Sequence, residues 1–141
     1  MKDFAILGPV LVQVALTFVL QLMMGKARFD AVKAGTVKRD GHSGIKPTWP
    51  ERAAVVSNAF QNQFEIPMLF FAVCAFALLA GAGDHIMVVL AWLFAISRLV
   101  HAGIFVTYNH IPHRFLVYLF GSLVVMAMWI RLAFLSTYGV A

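Results

Sequence analysis

The stretch IPMLFFAVCAFALLA-GAGD-HIMVVLAWLFAISRLV, residues 66–100, decides the fold. It consists of two apolar runs on either side of the residues GAGD at 81–84, and only Asp84 and Arg98 are charged within it. An α-helix rises 1.5 Å per residue, so about 20 predominantly apolar residues cross the hydrocarbon core of a bilayer. The two runs therefore predict two membrane-spanning helices that are joined by a tight turn.

The composition extends this prediction to all 141 residues. The chain is 62% hydrophobic and 12% charged, whereas a soluble domain has about 45–50% apolar and about 25% charged residues. A domain of this size has too little interior to bury that excess, and disorder requires low hydrophobicity. We predict an all-α membrane protein, a four-transmembrane-helix bundle in one domain over residues 1–141, with spans at about 4–24, 53–79, 85–108 and 115–135.

Positive charge is concentrated in the first predicted loop, residues 25–52. This loop holds seven of the eleven Lys and Arg residues in a chain of formal net charge +5: Lys26, Arg28, Lys33, Lys38, Arg39, Lys46 and Arg52. Basic loops favour the cytoplasmic side, where the lipid surface is anionic. We expect residues 25–52 and 109–114 in the cytoplasm and both termini on the opposite side. No groove-reading motif is present, so the bilayer and not a nucleic acid is the expected partner.

Polar residues at membrane depth follow one face of the second predicted span. Asn58, Asn62 and Glu65 are spaced i, i+4 and i+7, which places them on one side of a helix. Pro67 follows and frees a backbone carbonyl one turn earlier, which serves as an acceptor or marks a kink. Polar side chains are costly in hydrocarbon, so those found there mark a functional site or hold helices together.

The third predicted span carries a matching polar face. Arg98, His101, Phe105 and Tyr108 are spaced i, i+3, i+7 and i+10, and Arg98 lies at a depth similar to that of Glu65. An unpaired charge at that depth costs at least about 2.5–3.5 kcal/mol, so we predict that the two charges pair. Such a pair is compatible with a structural tie between helices and with a binding site.

Arg114 begins the fourth predicted span beside two histidines. It is either an anchor at the membrane interface or a cation at a helix N-terminus, where it is suited to bind an anion or to lower the pKa of a thiol. His110 and His113 have no third metal ligand beside them, and the single cysteine, Cys74, is interpreted as a small buried hydrophobe. We predict no metal site.

Two motifs together resemble the MAPEG family, the membrane-associated proteins of eicosanoid and glutathione metabolism. In the first, Glu51-Arg52 is followed by Asn62-x-x-Glu65 and then by Pro67, which is similar to the second-helix signature of that family.

The second motif is more specific. It consists of Arg98-x-x-His101, Arg114 thirteen residues after the histidine, and Gly121 seven residues further on. This pattern is similar to the third-to-fourth helix region of the microsomal glutathione transferases and the microsomal prostaglandin E synthase. The resemblance covers essentially the whole chain. It implies a homotrimer that binds glutathione as a co-substrate between protomers near the cytoplasmic side, with lipophilic substrates entering from the bilayer.

The resemblance also implies roles for individual residues. Arg114 matches the arginine that is held to stabilise the glutathione thiolate. The enzymes commonly have a tyrosine where this chain has Phe105, and Tyr108 is a candidate to replace its hydroxyl. The residues implied to bind glutathione are Arg52, Asn62, Glu65, Arg98 and His101.

The sequence leaves two functions open. One is a glutathione-dependent transferase or peroxidase that acts on lipophilic electrophiles. The other is a non-catalytic membrane protein of the same fold that binds lipid or a membrane partner in the cleft between protomers.

Overall fold

The computed structural model describes residues 3–38 and 47–139, which fold almost entirely into helices. A short 3-10 turn at Asp3–Ile6 leads into the first helix. The five α-helices are α1 (Leu7–Lys33), α2 (Glu51–Gln61), α3 (Ile66–Leu79), α4 (His85–Val106) and α5 (Ile111–Tyr138).

Four helical units are long and apolar enough to cross a membrane: α1, the combined α2 and α3, α4, and α5. This confirms the predicted all-α, four-helix membrane bundle. Outside the helices, Lys38 and Thr48 form an antiparallel bridge with N···O distances of 3.2 and 2.8 Å. The bridge joins the two described ends of the first loop, whereas the basic residues Arg39 and Lys46 lie outside the described part of the chain.

Helix α1 continues nine residues beyond the predicted span, so the first third of the predicted basic loop is helical. Gly25 within a helix costs only about 1 kcal/mol relative to alanine, and Lys26 pairs with Asp30 one turn later at 2.7 Å. The helix ends where Gly35 adopts a φ of 66°. The Thr36 N–H then donates to the Ala31 carbonyl at 3.1 Å, a hydrogen-bond pattern that terminates helices.

An apolar core lies between α3, α4 and α5. Phe70 and Phe94 are fully buried and stack with their ring centroids 4.4 Å apart. Cys74 is 2% exposed within this core, which confirms its interpretation as a buried hydrophobe. Gly121 allows close approach of α5 to α4, because a Cβ atom at this position would lie 2.7 Å from the Ser97 Oγ. The same packing sets the rotation of α5 and therefore the direction of its polar residues.

The turn between α3 and α4 ends one helix and caps the next. Gly81 has a φ of 65°, a left-handed conformation that ends α3 without side-chain strain. Asp84 caps α4 by accepting a hydrogen bond from the Met87 N–H at 2.9 Å. Arg131 on α5 donates to both oxygens of Asp84, and this hydrogen bonding lowers the pKa of the carboxyl below its usual value.

Candidate functional site

The second membrane-crossing unit breaks at membrane depth, and the break forms one wall of the site. Helix α2 ends at Gln61, residues Asn62–Phe64 form a 3-10 turn, and Glu65 has φ −97° and ψ −111°, outside the helical range. Pro67 lies in the first turn of α3, where the missing N–H costs nothing, whereas inside a continuous helix its ring would clash with a preceding carbonyl. The kink expected at this proline is therefore a complete break.

Two buried glutamines hold the break against α1. The Gln13 Nε2 donates to the Gln63 Oε1 at 2.8 Å, and the Gln63 Nε2 donates to the Ala59 carbonyl at 3.0 Å. Buried amides need such partners because water is excluded from them. Neither glutamine belongs to a recognisable motif, so the sequence alone does not reveal this tie.

Arg98 is buried beside the break, with 2% of its surface exposed. Its Nη2 donates to the Asn62 backbone carbonyl at 3.2 Å. The predicted ion pair with Glu65 is wrong, since the ion pairs found in the described residues are those of Lys26 with Asp30 and of Arg131 with Asp84. The broken helix presents the Asn62 carbonyl to the guanidinium. This carbonyl accepts a hydrogen bond from Arg98 without the cost of desolvating a carboxylate.

Glu65 is exposed and hydrogen-bonds to its neighbour Asn62 instead. With the Asn62 amide oriented so that its nitrogen faces the carboxylate, Nδ2 lies 3.1 and 3.2 Å from the two Glu65 oxygens. We assign this orientation because an ionised carboxylate only accepts hydrogen bonds. The carboxylate is therefore held at the surface of the break.

His101 joins α4 to α5 and is 3% exposed. Its Nδ1 lies 3.1 Å from the backbone carbonyl of Arg114. Because a carbonyl only accepts, we assign the proton to Nδ1, which leaves Nε2 as the acceptor nitrogen. The imidazole thus fixes the main chain of Arg114, and its ring centroid lies 5.9 Å from that of Tyr118.

The Arg114 side chain is held by two residues near the end of α4. Its Nη1 donates to the Asn109 Oδ1 at 2.6 Å, and its Cζ lies 4.1 Å from the centroid of the Phe105 ring. Among residues 3–38 and 47–139, Arg114 forms no ion pair. The positive charge is therefore oriented but not neutralised.

These side chains surround one cleft of about 230 Å³. Its lining residues come from the helix break, from α4 and from the first two turns of α5: Asn62, Glu65, His101, Ile111, Arg114, Phe115 and Tyr118. Four of the predicted site residues therefore meet at one place, and Arg98 lies behind them against the Asn62 carbonyl. Within the described residues, no group of three or more His, Cys, Asp or Glu side chains is arranged to hold a metal ion.

Comparison with known proteins connects this cleft to a family. The sequence matches the MAPEG family over residues 6–134, a range that includes every residue of the cleft. The chain belongs to the MAPEG family. The same comparison, made with curated proteins and with solved structures, found no match to either.

Tyr118 is the polar residue lining this cleft that the motifs do not reveal. It follows Arg114 by four residues, so both project from the same face of α5. This spacing is the only signal in the sequence that points to Tyr118. Tyr118 is the tyrosine that lines the cleft. It provides a phenol group there, whereas Phe105, at the position where the related enzymes commonly have tyrosine, has no hydroxyl.

Two predicted residues lie outside this cleft. Tyr108 follows the end of α4, is exposed, and places its hydroxyl 3.4 Å from the His113 Nδ1. Arg52 lies in the first turn of α2 and lines two adjoining surface clefts of about 390 and 350 Å³, which it shares with Met23 and Val56.

Proposed function

We propose that this MAPEG protein is a glutathione-dependent transferase or peroxidase that acts on lipophilic electrophiles. The observation that carries the proposal is the Arg114 guanidinium, which lines the cleft, is held in place and forms no ion pair in the described part of the chain. A fixed cation beside a thiol favours the thiolate and lowers the pKa of the thiol. The thiolate is the nucleophilic form.

The other polar groups of the cleft suit a zwitterionic thiol peptide. The Glu65 carboxylate is exposed and suits an ammonium group, and Asn62 lies beside it to hold the carboxylate in place. The Tyr118 hydroxyl is available to donate to sulfur or to a carboxylate. Arg98 and His101 are buried behind these residues and position the break and the main chain of Arg114. Bound glutathione would supply the thiolate that attacks the electrophile.

The apolar side of the cleft suits a substrate that arrives from the bilayer. Ile111 and Phe115 line it and are 67% and 59% exposed, so they present hydrocarbon to the lipid beside the Arg114 cation. A lipophilic electrophile partitions into the membrane and reaches this edge of the cleft without crossing water. The same arrangement keeps the polar peptide on the side of α2 and the electrophile on the side of α5.

We further propose that the functional unit is a homotrimer in which the cleft lies between neighbouring protomers. Glu65 is exposed on the single protomer, so a neighbour has room to complete the cleft beside the helix break. Arg52 would then contact glutathione from the adjacent copy. Native mass spectrometry in detergent tests the assembly: three copies are expected, and a stable monomer or dimer contradicts it.

The activity is tested through the thiolate. Glutathione added to the wild-type protein in nanodiscs should raise the ultraviolet absorbance of the thiolate, and Arg114→Ala should raise the pKa of the bound thiol by about one unit or more, because the stabilising cation is lost. Lys33→Ala removes an exposed positive charge from the same end of the protein and should leave the signal unchanged.

The outcome also decides between the two functions. If the wild-type protein binds no glutathione and forms no thiolate, the transferase proposal is wrong. The non-catalytic function, binding of lipid or a membrane partner in the same cleft, then takes its place. Turnover of glutathione with a small aryl halide would exclude binding as the sole role.

A further inference from the structure

The residue that links α4 to α5 has an unusual backbone conformation. Asn109 has a φ of 45°, and it is the one non-glycine residue with a positive φ among the described residues. Its N–H donates to the Ile104 carbonyl at 2.8 Å, at the end of α4. Only glycine, asparagine and aspartate adopt this left-handed conformation readily. The backbone at this position therefore favours those three types.

The side chain of Asn109 acts on Arg114 together with the Phe105 ring. The Asn109 Oδ1 accepts from the Arg114 Nη1 at 2.6 Å, while the Phe105 ring supports the guanidinium with 4.1 Å between the Cζ and the ring centroid. Phe105 is 4% exposed, so the ring has little freedom to move. One contact fixes an edge of the planar guanidinium and the other fixes its face, and together they determine its orientation.

Both contacts are made by neutral groups, so they leave the positive charge of Arg114 uncompensated in the cleft. An aspartate at position 109 would tolerate the backbone and accept the same hydrogen bond, but it would form an ion pair with Arg114. A glycine would tolerate the backbone and provide no acceptor. Asparagine is the residue among the three that orients the guanidinium and leaves its positive charge available.

We propose that Asn109 and Phe105 are positioning residues that hold the Arg114 guanidinium toward the cleft without neutralising it. This inference rests on the proposed glutathione-dependent function. It also assigns a purpose to Phe105, which supplies an aromatic face beneath the cation where the related enzymes commonly have a tyrosine. We call the contacts of Asn109 and Phe105 with Arg114 the clamp. Three other titratable groups line the cleft but are not part of the clamp: Glu65, His101 and Tyr118.

The two alternatives at position 109 provide a matched test. With wild-type protein, Asn109→Gly and Asn109→Asp in nanodiscs, the absorbance of bound glutathione is followed against pH to obtain the pKa of its thiol. Asn109→Asp should raise the pKa of the bound thiol by about one unit or more, because it adds a negative charge beside the guanidinium. Asn109→Gly should give a smaller rise of about half a unit, since the charge remains but its orientation is lost.

A purely structural role for Asn109 predicts a different order. Aspartate and glycine both tolerate the left-handed backbone, so neither variant would then move the pKa of the bound thiol, and that result would overturn the proposal. The other contact is tested at Phe105 by removing its aromatic face. Phe105→Leu retains a buried apolar side chain without the ring and should resemble Asn109→Gly.

A second measurement tests, without any ligand, whether these contacts restrict the Arg114 guanidinium. In protein labelled with ¹⁵N at arginine, the guanidinium signal of Arg114 is identified by its loss in Arg114→Lys. Rotation of this guanidinium should be slow in the wild-type protein and at least several-fold faster in Asn109→Gly. Equal rotation rates would exclude the clamp. Slow rotation in a wild-type protein that binds no glutathione would support the clamp and refute the transferase function.

Discussion

At the scale of single residues, the structure separates two tyrosines that the sequence places ten positions apart. The Tyr118 hydroxyl belongs to the cleft with Arg114, whereas Tyr108 is exposed beside His113. If the Tyr118 hydroxyl donates to the glutathione sulfur, Tyr118→Phe should raise the pKa of the bound thiol by about 0.5–1 unit, the value of one hydrogen bond. Tyr108→Phe is the matched control and should leave the thiol titration unchanged. A larger effect at Tyr108 would return the role to the residue that the sequence favours.

The residues of the cleft were predictable where a motif marks them and not where packing decides. Asn62, Glu65 and His101 are singled out by polarity at membrane depth and Arg114 by its place at the start of the fourth span, and the structure brings them together. The predicted Glu65 to Arg98 pair fails because equal depth specifies position along the helix axes and not the direction of each side chain. The prediction also does not consider the Asn62 backbone carbonyl, which the helix break makes available to Arg98. Tyr118 depends on the rotation of α5, which sequence spacing alone does not determine.

At the scale of helices, the contact between α4 and α5 holds the two walls of the cleft in register. Gly121→Ala would place a Cβ atom 2.7 Å from the Ser97 Oγ, whose hydroxyl donates to the Phe94 carbonyl at 2.7 Å. Forcing these atoms apart should destabilise the protein by about 1–3 kcal/mol. The midpoint of thermal unfolding in detergent should therefore fall. Gly103→Ala on α4, where a Cβ atom meets nothing within 4 Å, is the control and should be neutral or slightly stabilising.

A second substitution identifies the cause of this loss. Ser97→Ala removes the Oγ that the new methyl group meets, so the double variant Ser97→Ala/Gly121→Ala should recover part of the stability that Gly121→Ala loses. If the two effects simply add, the hydroxyl is not the obstacle and the close-approach explanation is wrong.

Helix existence was predictable from the sequence, and helix ends were less so. All four membrane-crossing units follow from runs of apolar residues, and Asp84 and Gly81 mark a turn that the structure confirms. The end of α1 differs by nine residues because hydropathy falls at Gly25-Lys26, whereas the helix continues until Gly35 ends it. The membrane boundary and the helix boundary are set by different physical terms, the first by solvation of side chains and the second by backbone hydrogen bonding.

At the scale of the whole molecule, the excess of apolar residues identifies the bilayer as the environment of the protein. The distribution of its positive charges predicts which end of the bundle faces the cytoplasm. The described positive residues near the cleft end of the bundle are Lys26, Arg28, Lys33, Lys38, Arg52 and Arg114, whereas Arg131 lies near the other end, paired with Asp84. Basic residues beside spans are retained in the cytoplasm. The cleft would therefore open on the cytoplasmic side.

This orientation is testable because the protein has one cysteine and that cysteine is buried. Cys74 is 2% exposed, so the wild-type protein should not react with a membrane-impermeant maleimide. Lys33→Cys and His85→Cys place a thiol at exposed positions near opposite ends of the bundle. In intact cells His85→Cys should be labelled, and Lys33→Cys should be labelled only after the membrane is permeabilised. The reverse pattern would place the Arg114 cleft on the external side, where cytoplasmic glutathione does not reach it, and would contradict both the orientation and the proposed supply of the thiol.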